Sequence, residues 1–249
     1  MLSPRYPVIL KEKIQLSPST LELVYVREDG GAITYVPGQF FSLDFFYQGE
    51  EKSRSYSAAG RVDDLKNNRE FRFAITIVPN GAASNYFCNA KPGNQAKMSG
   101  PYGALVLPQI DPSRYLLIGT GTGVAPYRAM LPTLEKRMRT NPALKVVLVM
   151  GVRSPQELIY GAEFSALAQN NRGFGFHVCY SRQMPEVPQA YENYGRIQTL
   201  YQQLEPNPAQ DIVYLCGHPD MVDESVAWFA EKGFSAKTLK REKYKFSAF

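Results

Sequence analysis

The amino-acid sequence predicts a two-domain protein in which an antiparallel β-barrel precedes a doubly wound α/β domain with a parallel sheet. The chain has 249 residues, which suits two domains of ordinary size better than one. Its first part reads as short strands separated by Gly and Pro turns, and its second part alternates strands with helices. We expect the boundary near residues 108–114, which gives domains 1–110 and 111–249.

The first part carries short segments with strand-like alternation. In residues 71–77 every odd position is apolar, which is the period of a strand with one buried face. Glycine and proline pairs such as Gly30-Gly31 and Pro92-Gly93 mark the breaks between segments. Several short strands at this spacing favour a small antiparallel barrel. We predict strands at residues 7–11, 21–27, 40–46, 71–77 and 105–107.

The second part has the strand–helix–strand rhythm of a parallel sheet covered on both faces. We predict strands at residues 115–118, 145–150, 176–180 and 212–216. We predict helices at residues 125–140, 163–169, 197–204 and 221–232.

Composition excludes several classes of function. The chain has 28 basic and 23 acidic residues, and the net charge of +5 is spread along it, so we expect no nucleic-acid partner. Its apolar runs are strand-sized and its start shows no export signal, so we expect no membrane association. The three cysteines form no C-x-x-C pair, which favours the cytoplasm. Three cysteines and two histidines predict neither an iron–sulfur cluster nor a metal site, so redox chemistry would need an organic cofactor.

A glycine loop lies where the first strand of the second part ends and a helix begins. Backbone amides and the helix dipole bind phosphate at such a place. The same glycines also fit a tight connection with no ligand. We assign to nucleotide binding Gly119, Thr120, Gly121, Thr122 and Gly123.

Four further segments occur in a recognisable order with this loop. They are R-S-Y-S at residues 54–57, G-A-A-S at 81–84, C-G-H-P-D-M at 216–221 and E-K-Y at 242–244. Together with the glycine loop they resemble the ferredoxin–NADP reductase family over essentially the whole chain. The resemblance implies a flavin domain that binds FAD, followed by a nicotinamide domain that binds NADP(H).

On the flavin side, the resemblance implies a task for each residue type. Arg54 offers a fork of donors to the FAD pyrophosphate, Tyr56 lays its ring on the isoalloxazine, and Ser57 hydrogen-bonds near flavin N5. Ser84 both caps a helix and donates to the pyrophosphate. An ordinary strand and a plain helix cap also fit these residues. The predicted FAD-binding residues are Arg54, Ser55, Tyr56, Ser57, Gly81, Ala82, Ala83 and Ser84.

On the nicotinamide side, the second parallel strand ends in Gly-Val-Arg153 without the acidic residue that favours NAD. Ser181 and Arg182 follow the next predicted strand, and Arg196 follows a glycine further on. Three guanidiniums that converge on a 2′-phosphate favour NADP(H). Solvated surface arginines are the other interpretation.

The resemblance also implies a catalytic set made of Ser57, Cys216, Glu242 and Tyr244. Cys216 is a small polarizable neighbour of the nicotinamide, Glu242 a proton or hydrogen-bond partner, and Tyr244 the aromatic that shields the flavin. A buried structural cysteine also fits Cys216. Five residues follow Tyr244, so Phe246 and Phe249 are alternative shielding residues.

The predicted function is a monomeric ferredoxin or flavodoxin NADP reductase of bacterial type, in which hydride passes between NADPH and FAD and electrons pass singly to the carrier. A reductase component of an oxygenase system and a free-flavin reductase are alternatives. A redox-sensing module that binds flavin and NADP without turnover is an alternative of another class.

Overall fold

A computed structural model of the protein describes residues 4–244. Its contacts divide the chain into two compact units. Within the described residues, the first runs to Leu107 and includes Ala125–Pro132; the second comprises Pro108–Val124 and residues 133–244. Within residues 4–244, none of the helices has both the length and the apolar character needed to cross a membrane.

The first unit contains an antiparallel six-stranded sheet in the order β4-β3-β6-β1-β2-β5. A bridge between Ala58 and Phe73 connects the end of β4 to β5, the strand at the other end of the order, and so closes the sheet into a barrel. The elements are β1 (Arg5–Ser17), β2 (Thr20–Arg27), β3 (Phe40–Tyr47), β4 (Glu50–Ser57), β5 (Glu70–Thr76), α1 (Ala82–Asn89) and β6 (Gln95–Tyr102).

Alternation along the strands builds the barrel core. In β5, Phe71, Phe73 and Ile75 are at most 2% exposed, while the intervening Arg72 points out of the core. Each such side chain contributes about 1.5–3 kcal/mol of hydrophobic stabilisation. Phe87 of α1 is fully buried in the same core, so the helix is held against the barrel wall.

The second sheet is parallel throughout and has the order β10-β9-β8-β7-β11-β12. Since β7 is the first of these strands in sequence and lies between β8 and β11, the strand order reverses beside it. The elements are β7 (Arg114–Thr120), α2 (Ala125–Thr140), β8 (Lys145–Val152), α3 (Gly161–Asn170), β9 (Phe174–Tyr180), β10 (Glu192–Tyr194), β11 (Asp211–Gly217), α4 (Pro219–Glu231) and β12 (Leu239–Lys243).

These sheets confirm the predicted fold class, with several local differences. The strand predicted at 105–107 is wrong, because Leu105 is buried but lies in irregular chain. The helix predicted at 197–204 is a short 3₁₀ turn, Ile197–Leu200. Strands β4, β6, β10 and β12 were not among the predicted strands. Strand β4 consists almost entirely of polar and charged residues, Gly and Pro lie within β6, β10 has three residues, and β12 is mostly charged, so none carries an apolar alternation long enough to recognise.

Candidate functional site

The predicted flavin motif occupies the end of β4, the first strand in the order of its sheet. Tyr56 is half-buried and packs edge-on against Phe87 of α1, with ring centroids 5.9 Å apart. Ser57 is only 4% exposed. The Arg54 guanidinium donates to the Ser53 carbonyl at 2.8 Å, and Ser55 is exposed. Burial raises the pKa of the Tyr56 phenol above its ordinary value, so the phenol keeps its proton well into the alkaline range.

Helix α1 contacts this strand through Phe87, whose ring packs on Tyr56. Gly81 is its N-cap, and no side chain caps it or places an acidic group in its first turn. The amides of Ala82 and Ala83 therefore face no competing carboxylate of their own turn, as an anion site requires. A cationic Arg54 on β4 and this helix start suit the two charges of a dinucleotide diphosphate.

The prediction that Ser84 caps helix α1 is wrong. Ser84 is 4% exposed and its hydroxyl oxygen accepts a hydrogen bond from the Val78 amide at 2.7 Å. The hydroxyl thus fixes the loop that leads into the helix, while Gly81 occupies the cap position. Its role toward a phosphate stays a prediction.

The glycine loop follows β7, where the order of the parallel sheet reverses, the usual ligand position of doubly wound folds. Gly119 and Thr120 end the strand, and Gly121–Val124 form a 3₁₀ turn before α2. Gly121 has φ +52, and a Cβ built there meets no atom within 4 Å. Its backbone therefore borders open space that a diphosphate can approach. The Thr122 residue is buried.

Gly123 serves a different purpose from Gly121. A Cβ at this position would lie 2.2 Å from the Cys216 carbonyl oxygen, so only glycine lets the loop pack on the end of β11. Gly217 has φ +130, and a Cβ there would lie 2.4 Å from the Thr120 hydroxyl. That hydroxyl accepts a hydrogen bond from the His218 amide at 3.0 Å. These contacts hold the glycine loop against the end of β11, which carries Cys216.

Three residues of the predicted catalytic set meet at the end of β11. Strand β12 pairs with β11 in parallel and places Glu242 opposite Cys216. The Tyr244 amide donates to the Gly217 carbonyl at 2.9 Å, and the Tyr244 side chain hydrogen-bonds to the Cys216 side chain. Phe246 and Phe249, the alternative aromatics, lie outside the described residues.

The Cys216 thiol is neutral at physiological pH. Burial raises its pKa well above the usual value, the Glu242 charge raises it further, and the hydrogen bond with Tyr244 opposes this in part. A neutral buried thiol is a poor nucleophile. The geometry therefore fits a packing and polarisation role beside a ligand.

The predicted phosphate-binding arginines follow neighbouring strands. Arg153 comes after β8, and its carbonyl accepts a hydrogen bond from the Arg182 amide at 2.9 Å. Ser181, just after β9, donates its amide to Val152 at 2.9 Å. Arg196 lies two residues after β10, and all three arginines are exposed. Three strand ends thus carry positive charge at one edge of the sheet.

One charged neighbour of this group was not predicted from the sequence. Arg196 faces Glu224 of α4, with 3.8 Å between Nη1 and Oε1. The two residues are 28 positions apart, and neither lies in a motif with the other. No local pattern in the sequence indicates the pair.

Known proteins share both units. Residues 7–107 match the oxidoreductase FAD-binding domain and residues 117–226 the oxidoreductase NAD-binding domain. The chain is 32% identical over 212 residues to ferredoxin–NADP reductase B of Sorangium cellulosum (strain So ce56), covering 83% of this chain and 84% of that protein. It is 28% identical over 244 residues to the toluate 1,2-dioxygenase electron transfer component of Pseudomonas putida, covering 98% and 68%.

Solved structures agree in fold. A ferredoxin NADP⁺ reductase from Neisseria gonorrhoeae, with bound FAD and NADP, superposes with a TM-score of 0.81 at 20% identity and covers 96% of this chain and 98% of that one. The flavohem-like FAD/NAD binding domain of nitric oxide dioxygenase from Vibrio cholerae O1 biovar El Tor gives 0.82 at 24%, with the same coverage. The chain belongs to the ferredoxin–NADP reductase family of flavin- and nicotinamide-dependent oxidoreductases, as the sequence predicted.

Proposed function

We propose that this protein is an NADPH-dependent flavin reductase that passes electrons to ferredoxin or flavodoxin. The observation that carries the NADPH preference is the group of guanidiniums on Arg153, Arg182 and Arg196, which follow three adjacent strands. A 2′-phosphate is a multiply charged acceptor that arginine binds with paired hydrogen bonds, whereas the 2′-hydroxyl of NADH offers no charge.

Bound FAD supplies the redox chemistry, because it takes two electrons as hydride and releases them one at a time. The contribution of the chain is to bind FAD and to orient it. Arg54 and the start of α1 would hold the diphosphate of FAD, Tyr56 would pack on its ring system, and the buried Ser57 would offer a hydroxyl to flavin N5. Aligned reactants at fixed distance are the main contribution that the protein makes to such a transfer.

In the nicotinamide domain, the open backbone at Gly121 receives the dinucleotide diphosphate. The neutral Cys216 thiol packs beside the nicotinamide, and Glu242 across the strand pair is its polar neighbour. Tyr244, which hydrogen-bonds to Cys216, covers this place when no nicotinamide is bound. Entry of the nicotinamide therefore requires Tyr244 to move.

Basic residues support an acidic carrier as partner. Lys237, Lys240 and Arg241 lie in and just before β12, close in sequence to Glu242. Positive charge steers a negatively charged protein toward its docking surface. The next lysine, Lys243, is paired with Asp223 at 2.5 Å. Lys245 lies outside the described residues.

A second candidate is a reductase component of an oxygenase system. The toluate 1,2-dioxygenase electron transfer component matches 98% of this chain, and a Pseudomonas putida naphthalene 1,2-dioxygenase reductase component is 33% identical over 191 residues. With three cysteines, this chain lacks the four that an iron–sulfur cluster of its own would use. In this role the protein would pass electrons to a separate iron–sulfur component.

Anaerobic reduction tests the proposal. The holoprotein is mixed with NADPH or NADH, and flavin absorbance is followed in time. We expect rapid bleaching by NADPH and slow bleaching by NADH, followed by reoxidation when oxidised ferredoxin or flavodoxin is added. Equal bleaching by both nucleotides would remove the NADPH preference, and reoxidation by oxygenase components alone would favour the second candidate. Flavin that neither nucleotide reduces would indicate a binding module without turnover.

A further inference from the structure

One of the three phosphate-binding arginines has an acidic partner and the other two do not. Arg196 lies 3.8 Å from Glu224, and the side chains are 75% and 50% exposed. Among residues 4–244, no carboxylate lies within ion-pair distance of Arg153 or Arg182. Arg196 is therefore the member of the group whose charge is already partly compensated.

The Glu224 carboxylate is held in this position from two sides. Its Oε2 accepts a hydrogen bond from Gln198 Nε2 at 2.8 Å, while Oε1 faces Arg196. Gln198 lies in the 3₁₀ turn that directly follows Arg196. Because the Gln198 bond does not depend on Arg196, the carboxylate stays near when the arginine turns to another anion.

We propose that Glu224 sets how strongly the protein prefers NADPH to NADH, by competing with the 2′-phosphate for Arg196. This inference rests on the proposed function, in which Arg196 binds that phosphate. A bound phosphate must replace Glu224 as partner of Arg196 and then remains close to the displaced carboxylate, which repels it. NADH has no 2′-phosphate, so it neither displaces Glu224 from Arg196 nor is repelled by the carboxylate. Glu224 thus weakens the binding of NADPH selectively, and the protein keeps a measurable capacity for NADH.

The expected size of the effect follows from the exposure of the Arg196 and Glu224 side chains. Exposed ion pairs contribute little because water and salt screen them. Removing the Glu224 charge should therefore strengthen binding of a 2′-phosphate by about two- to fivefold at low ionic strength, and by less at high salt. The opposite sign is expected if Glu224 instead holds Arg196 in its binding position.

Two adenine nucleotides that differ only in the 2′-phosphate isolate the effect. Dissociation constants of 2′,5′-ADP and 5′-AMP are measured by calorimetry on the holoprotein, for the wild type, Glu224→Gln, Arg196→Ala and the double variant. Glu231→Gln is the matched control, because it removes the same charge from an exposed position at the end of the same helix.

We expect Glu224→Gln to bind 2′,5′-ADP about two- to fivefold more tightly with 5′-AMP unchanged, and Glu231→Gln to match the wild type. Arg196→Ala should weaken binding of 2′,5′-ADP and reduce the effect of Glu224→Gln, because only the direct repulsion between carboxylate and phosphate is then left. Unchanged or weaker binding of 2′,5′-ADP by Glu224→Gln overturns this inference, as does an effect of Glu224→Gln that is equally large in the Arg196→Ala background. A wild type that binds both nucleotides equally overturns the NADPH preference itself, which separates the two failures.

Discussion

Replacing Gly123 by alanine should destabilise the nicotinamide domain strongly. The new Cβ would lie 2.2 Å from the Cys216 carbonyl oxygen, about 0.8 Å inside the shortest contact that real Cβ atoms show. The contacted atoms belong to the backbone of β11, so no side-chain rotation relieves the overlap. The end of the strand must retreat, which costs about 1–3 kcal/mol for overpacking. The same movement stretches the 3.0 Å bond between the His218 amide and Thr120 and loses about 1 kcal/mol more.

Gly175 offers a matched control for this substitution. It lies in β9, and a Cβ there would meet its nearest atom, a methyl of Val147, at an ordinary 3.6 Å. Because alanine restricts the unfolded chain more than glycine does, Gly175→Ala should be neutral or stabilising by about 0.4–1 kcal/mol. Of these two variants of one domain, Gly123→Ala is therefore expected to lower the free energy of unfolding, and Gly175→Ala is not.

Urea unfolding followed by tryptophan fluorescence measures both variants. Trp228 is the only tryptophan in the chain and packs on Tyr201 in the core of the nicotinamide domain, with ring centroids 5.1 Å apart. We expect Gly123→Ala to lower the free energy of unfolding by about 2–4 kcal/mol, with an unchanged slope against urea. A Gly123→Ala loss under about 0.5 kcal/mol, or an equal loss for Gly175→Ala, would refute the reasoning.

Three further predictions use other parts of the chain. Arg182→Ala should raise the KM for NADPH about tenfold and leave that for NADH unchanged, whereas Arg172→Ala, an exposed arginine before β9, should change neither. A thiol reagent should modify one cysteine of the native protein and three after denaturation, and Cys88→Ser should remove the native signal, because Cys88 is exposed and the other two are buried. Burial raises the pKa of Cys179 to about 12, so its contribution to stability is complete below pH 9 and is lost as pH rises from 9.0 toward 12. Cys179→Ala should therefore flatten the decline of unfolding free energy above pH 9 by roughly 1.4 kcal/mol per pH unit, measured by Trp228 fluorescence; parallel curves for the two proteins would contradict this.

Hydrophobic periodicity and turn chemistry were sufficient for the fold class. Helix α2 was predicted with its observed bounds, Ala125–Thr140, because a long helix after a glycine loop is a strong local signal. Four of the six parallel strands, β7, β8, β9 and β11, were located within a few residues, because each contains a run of apolar residues of strand length. Strand β12 was not predicted, since its residues are mostly charged and it exists by pairing with β11.

The functional site shows the same difference between what local sequence indicates and what tertiary structure decides. Residue types and their order were enough to indicate a flavin and nicotinamide oxidoreductase, because each motif lies within a few consecutive residues. Tertiary structure was needed to separate Gly121, which borders open space, from Gly123, which packs on β11. It also decided that Ser84 binds the Val78 amide and that Glu224 faces Arg196. Local sequence records propensity and motif, whereas a contact between distant residues depends on how strands and helices pack, and that packing carries no signal within a short segment.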